Sequence, residues 1–332
     1  MKRIGLLCLA AACGSSSSKQ PDAAVHVDAR ADAPADATPD VAVDAPVDVP
    51  EGVSGHYHYV VNRLVWPTTS NEARADGLDL DGNGTIDNQL GMVLSSLTAQ
   101  GFDVQTPTDQ SLARGGSITL ADLAAPDLTN ATGATFTLFA GTNPSPTPCN
   151  NSADTVCGHH LTGTGTFDVA AMPRDTPIAG AIASTVFTGG PGHLSIPLYV
   201  MTGSPTIITL LGARAKLTPK TGGVMTGIIA GAVSTADINS KIYPAMQQSF
   251  SAAVAQDCSM LANPPTCGCT QGSTGATMIS LFDTNQDCAI TLTEVKNNSL
   301  IMALFAPDVT VENQSALSVG FAFTAVDAAF TP

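Results

Sequence analysis

The sequence predicts a mainly β protein, a β-sandwich that carries a helix–loop–helix unit near its C-terminus. Three observations lead to that fold class. Between residues 54 and 232 the apolar residues recur with period two in short runs punctuated by Gly and Pro, as in half-buried strands. From 237 onward the spacing lengthens to that of amphipathic helices. Charged residues are only 12% of the 332, while 44% are hydrophobic, enough apolar surface for a large core.

Met1-Lys2-Arg3 is a short positive region, and residues 4–12 are apolar but far too few to span a bilayer. Ala10-Ala11-Ala12-Cys13 resembles a bacterial lipobox, with Ala10 where Leu is usual. The resemblance implies a lipoprotein signal peptide over 1–12 and lipidation at Cys13. With Gly14 rather than Asp after the cysteine, it also implies an outer-membrane lipoprotein facing the periplasm or the cell surface. A plain secretory signal cleaved near Ala12 is the alternative, and either removes the mature chain from the cytoplasm. Residues 13–53 form an acidic Ala/Asp/Pro tether. Asp28, Asp32, Asp36, Asp40, Asp44 and Asp48 would stack like charges on a helix, which Pro34, Pro39, Pro46 and Pro50 break in any case. Such a chain buries no core and reaches about 120 Å if extended.

Residues 54–232 are expected to form the sandwich. The first strand is 56–66, with Tyr57, Tyr59, Val61 and Val65 on one face. Further strands are expected at 135–140, 163–170, 194–201, 206–211 and 224–231. A helix over 237–256, kinked at Pro244, opens a helical unit spanning 233–306. Residues 307–332 return to the sheets as a strand, 317–325, in which large and small residues alternate.

The formal net charge is −15, which excludes a nucleic-acid partner on electrostatic grounds. Of eight cysteines, Cys8 lies in the leader and Cys13 would take lipid. The six that remain read as disulfides in an exported chain. Cys149 and Cys157 flank a polar loop and would close it. Cys267 and Cys269 are too close to bond each other easily, so each would bond Cys258 or Cys288. A four-cysteine zinc site is the alternative reading of the last four.

The stretch 283–294 is the strongest chemical signal. Asp283, Asn285, Asp287, Thr291 and Glu294 place oxygen atoms at positions one, three, five, nine and twelve of a twelve-residue loop, and Ala289 offers a carbonyl at seven. That set suits calcium, a hard cation that takes six to eight oxygens. Met278, Ile279 and Phe282 mark a helix before the loop. Thr291-x-x-Glu294 is a capping box for a second helix that runs to Phe305, where Pro307 stops it. These residues resemble the calcium loop of the EF-hand superfamily. The resemblance implies Ca²⁺ held by the loop, with Glu294 as the closing ligand and Ile290 pinning the loop to a neighbour. Position six departs from the pattern. Cys288 stands where Gly normally supplies a positive φ, and a disulfide there would hold the strained turn.

A second loop, Asp79-Leu80-Asp81-Gly82-Asn83-Gly84-Thr85-Ile86-Asp87, matches the first nine positions of the same pattern. Asp79, Asp81, Asn83, Thr85 and Asp87 are its candidate ligands. Position twelve is Leu90, which cannot close a shell; a helix follows, and none is evident before. The bland reading is an Asp-Gly-Asn-Gly turn. Lipobox, acidic tether and the two loops together resemble uncharacterised surface lipoproteins of Gram-negative bacteria, a likeness that implies no particular activity.

No nucleophile elbow, zinc-protease helix, phosphate loop or dinucleotide fingerprint occurs in the chain. His56 and His58 share a strand face, and with His159, His160 or His193 would suit zinc or copper, although histidines two apart on a strand are ordinarily surface residues. The expected function is therefore a calcium-binding, lipid-anchored extracytoplasmic binding or structural protein, not an enzyme. Its partners would be the outer membrane, through the lipid, and a protein or glycan ligand. The alternative is a surface hydrolase in which calcium is structural. A calcium sensor is weaker, because sensors pair their loops.

Overall fold

The computed structural model describes residues 55–99, 105–151, 153–198, 206–220, 222–259 and 266–332. The expected leader over 1–12, the lipidation site Cys13 and the tether over 13–53 lie outside the described residues. The strands are β1 (His56–Val65), β2 (Thr119–Ala124), β3 (Ala131–Ser145), β4 (Gly165–Val169), β5 (Ile178–Ala183), β6 (Val186–Leu198), β7 (Thr206–Thr218), β8 (Val224–Ser234), β9 (Val309–Val311) and β10 (Gln314–Ala329). The helices are α1 (Ser70–Ala75), α2 (Gln89–Ala99), α3 (Gln105–Ala113), α4 (Thr235–Asp237), α5 (Tyr243–Asp257), α6 (Thr274–Phe282), α7 (Leu292–Asn297) and α8 (Ser299–Leu304). Among the described residues no helix is long and apolar enough to cross a membrane.

Mainly-β character holds, but the expected sandwich does not: eight strands close into an antiparallel barrel in the order β1-β2-β3-β5-β6-β7-β8-β10. Two long-range pairings make the difference. β10 binds back to β1, with Tyr59 opposite Asp327 and Val61 opposite Ala325. β3 binds β5 as well as β2. Period two says which side chains share a face; it is the same in a sandwich and in a barrel. Register breaks in β1, β3, β6 and β7 supply the bends that closure requires. The break between Val61 and Arg63 also turns Leu64, not Val65, toward the interior.

An eight-stranded barrel has an interior just wide enough to be filled by side chains. Tyr59, Phe136, Phe187 and Phe323 fill it against Ala121, Ala134, Ala213 and Ala215, all fully or almost fully buried. The same cluster continues past the end of the barrel where β1, β6 and β8 finish and β7 and β10 begin. There Val233, Ile208, Val319 and Phe321 meet Ile242, Met246, Phe250, Met278 and Phe282 of the helical unit. The regions 54–232 and 233–306 thus share one core.

The helices follow from local chemistry. A π-turn at Ile238–Ile242 precedes Tyr243 and Pro244 at the start of α5, which is the expected kink resolved as a bulge. The single helix expected to run to Phe305 is split into α7 and α8. Asn298 breaks it: its side-chain oxygen accepts from the Leu300 and Ile301 N–H groups, and its amide donates to the Leu281 carbonyl. β4 lies off the barrel. It is antiparallel to the far end of β3 and parallel to the end of β10, and it covers an outer cluster of Val60, Ile118, Leu120, Phe139, Phe167 and Phe330.

Candidate metal centre

The six cysteines form three disulfides, Cys149–Cys157, Cys258–Cys269 and Cys267–Cys288. All four sulfurs near the helical unit are oxidised, so the four-cysteine zinc reading falls. The first bridge closes the 149–157 loop as expected. There Asp154 accepts from the Asn150 and Val156 N–H groups and from His159, which hold its carboxyl at about 2.

Between α6 and α7, residues 283–291 form a turn held by hydrogen bonds from backbone N–H groups to the Asp and Asn side chains. Asp283 accepts from the Asp287 and Cys288 N–H groups at 3.0 and 2.9 Å. Asn285 accepts from Asp287, and Asp287 from Ala289. Cys288 adopts φ 67°, the left-handed conformation that position six demands, and the bond to Cys267 holds it there. Ile290 is buried in the common core. Its carbonyl accepts from Gln247 at 2.9 Å and from Ser251, both on α5, so the neighbour that pins the loop is a helix and not a second loop. Removing the bridge with Cys267→Ser/Cys288→Ser frees a separation of 21 residues. The expected loss is about 3 kcal/mol of stability, read as a lower denaturant midpoint; an unchanged midpoint would mean the bridge is dispensable.

Glu294 forms the expected capping box with Thr291. One carboxylate oxygen accepts from the Thr284 N–H and hydroxyl at 2.9 and 3.1 Å, the other from the Thr291 N–H and hydroxyl at 2.9 Å each. Burial works against the ionised form, but these bonds outweigh it and hold the Glu294 carboxyl below its usual range. With two donors on each oxygen, its acceptor sites are filled by protein. Asp283 is also near Cys267 and Cys288, but those sulfurs are spent on the disulfide.

The second loop gathers its acids more tightly. One carboxylate oxygen from each of Asp79, Asp81 and Asp87 lies within 4.8 Å of the others. Gly82 and Gly84 have φ 79° and 85°, and both donate N–H groups to Asp79, at 2.7 and 2.9 Å. The bond from Gly84, foremost, holds Asp79 below the usual carboxylate range. Asp81 accepts from Asn83, and Asn83 from Thr85. Asp87 accepts from the Leu80 N–H at 2.7 Å, and its backbone bridges Leu78. Burial pushes the Asp87 carboxyl up, the Leu80 bond opposes this, and the charges of Asp81 and Asp308 add to the rise. Ile86, at position eight, is exposed; Leu78 and Leu80 instead seat the loop on the outer faces of β8, β9 and β10.

A helix does precede this loop. α1 is capped by Thr69 and Glu72 in a capping box, the Thr-x-x-Glu signal that would have revealed it in the sequence. Asp308 has no such signal. It is brought beside Asp87 by β10, whose Ser318 donates to Asp308 through both N–H and hydroxyl and accepts from the first N–H of α2. The donors around Asp79, Asp81 and Asp87 are oxygens alone and fit a hard cation. Comparison of the chain with protein-family models, with curated proteins and with solved structures returned no match.

Proposed function

We propose that this protein is a calcium-stabilised binding or structural module held outside the cytoplasm by a lipid on Cys13, with no catalytic role. The observation that carries this reading is the convergence of Asp79, Asp81 and Asp87 on the outside of the barrel. Three like charges this close repel one another, and a divalent cation relieves the repulsion while the folded loop supplies its ligands. Asn83, Thr85 and backbone carbonyls lie in the same turn. The loop at 283–294 is a second calcium site, in which Asp283, Asn285, Asp287, Ala289 and Thr291 supply oxygens. Glu294 joins the ion only by exchanging bonds to Thr284 or Thr291, so this site is the weaker of the two. The three disulfides support an oxidising compartment, where calcium is plentiful. The side-chain-filled barrel favours a ligand, protein or glycan, that docks on the outer surface.

Calorimetry of the exported chain tests this. With a dissociation constant near 10⁻⁴ M, 10 mM calcium adds about 2.7 kcal/mol, a rise in melting temperature of roughly 5–10 °C that EDTA removes. Asp81→Asn should abolish most of the rise, and Glu294→Gln a smaller share. Equal melting of wild type in EDTA and in calcium would sink the proposal.

A further inference from the structure

The barrel wall carries a second constellation of different chemistry. On β1, His56 and His58 alternate with Val60 on the outer face, since Tyr57, Tyr59 and Val61 turn inward. Antiparallel pairing sets Asp122 of β2 directly opposite His58. His56 Nδ1 lies 2.9 and 3.1 Å from the two Asp122 oxygens, and His58 Nε2 lies 3.6 Å from one of them. One ligand atom from each of the three residues lies within 4.8 Å of the others. Tetrahedral zinc with bonds of 2.0–2.1 Å sets its ligand atoms about 3.3 Å apart. The nitrogen–oxygen separations from His56 and from His58 to Asp122 bracket that value.

The surroundings of His58 leave its ring in want of a partner. Its Nε2 is buried and has no hydrogen-bond partner. A contact of 3.6 Å is too long to satisfy it, and an unsatisfied buried polar atom is costly. Phe330 stacks on the ring, with centroids 4.3 Å apart, and is itself set edge-on against Phe139. The ring is thus held in place from one side while its nitrogen faces Asp122. Burial, against the pull of Asp122, pushes the His58 pKa down, and the neutral imidazole is the form that ligates metal. Asp122 is almost fully buried, and among the described residues its ion-pair partners are these histidines alone. The His56 side chain is more than half exposed, which leaves the constellation open to solvent on one side.

We infer that His56, His58 and Asp122 form a binding site for a divalent first-row transition ion, zinc in the first instance, with a solvent molecule as fourth ligand. Two imidazoles and one carboxylate select against calcium, which takes oxygen, and the site is independent of both Asp-rich loops. Three protein ligands with one open position is the arrangement of zinc sites that exchange a ligand. Zinc replaces the long His58–Asp122 contact with two bonds and gives the orphaned Nε2 a partner.

Titration calorimetry of the exported chain with zinc chloride, run in saturating calcium so that the oxygen loops are occupied, tests the site. One zinc per chain is expected. His58→Gln and Asp122→Asn should each weaken it at least about 100-fold, the upper end of what losing even an outer-shell partner costs. Zinc uptake unchanged in both variants would mean the ion sits elsewhere and would overturn the inference, as would no uptake by wild type. X-ray absorption at the zinc edge needs no variant and so stands even if the substitutions unfold the barrel. Two imidazole nitrogens at about 2.0–2.1 Å support the site, and an all-oxygen shell overturns it.

Discussion

Phe136→Ala is expected to lower the unfolding free energy by about 3–5 kcal/mol, the range for emptying a buried aromatic site. Phe136 is fully buried on β3, opposite Leu123 of β2 on one side and Ile178 of β5 on the other, with the Phe187 ring 6.1 Å away. A cavity costs most where its walls cannot collapse. In a closed barrel every strand is held by hydrogen bonds on both sides, so the walls around residue 136 have little freedom to move inward. Urea or guanidinium unfolding should show a lower midpoint at an unchanged slope. Val224→Ala, at an exposed position on β8, should stay within about 0.5 kcal/mol. If Phe136→Ala behaves like Val224→Ala, the barrel interior is not a packed core.

Asn88→Ala should cost about 3–4 kcal/mol, although the side chain is small and polar. Asn88 is buried, and its amide makes four hydrogen bonds. Nδ2 donates to the Ala73 and Gly320 carbonyls at 2.9 and 3.0 Å; Oδ1 accepts from the Gly91 and Gly320 N–H groups at 3.0 and 2.9 Å. One residue thus ties the end of α1, the start of α2 and the middle of β10 together. Its removal strands several buried backbone groups, at about 1–3 kcal/mol for each left unsatisfied. Gly320 is part of the same joint: a Cβ there would lie 2.5 Å from the Asp76 carbonyl oxygen, so only glycine lets the chain before the Asp-rich loop come so close to the strand. Thermal unfolding of Asn88→Ala and Asn88→Asp checks this. The second keeps an acceptor but loses the donors, and should lose nearly as much. A melting temperature within a degree of wild type for both would remove Asn88 as the joint.

The loop at 283–294 was legible because its constraints are local. The sequence placed a positive φ at Cys288 and a capping box at Thr291, both set by residues close along the chain, and offered a disulfide that would hold the turn without naming its partner. The pairing of Cys149 with Cys157 and the interior face of β1 up to Val61 were readable for the same reason. β2 and β5 were missed because Asp122 interrupts one and small residues fill the other, leaving little apolar contrast to read.

What the sequence by itself determined is a set of short-range choices: period-two strands, helix caps, turn residues and an even set of cysteines. Tertiary structure alone decided that the strands close into a barrel, because closure rests on β1 meeting β10 at the far end of the chain, and an alternating pattern is silent about which strand pairs with which. It likewise decided the chemistry that crosses strands. Asp122 reaches His56 across 66 residues and Asp308 is carried to Asp87 by β10, contacts no local spacing encodes. Glu294, which the spacing marks as the closing ligand, has its oxygens claimed by Thr284 and Thr291, because hydrogen-bond donors reach a carboxylate by proximity in space, which position in a motif does not record.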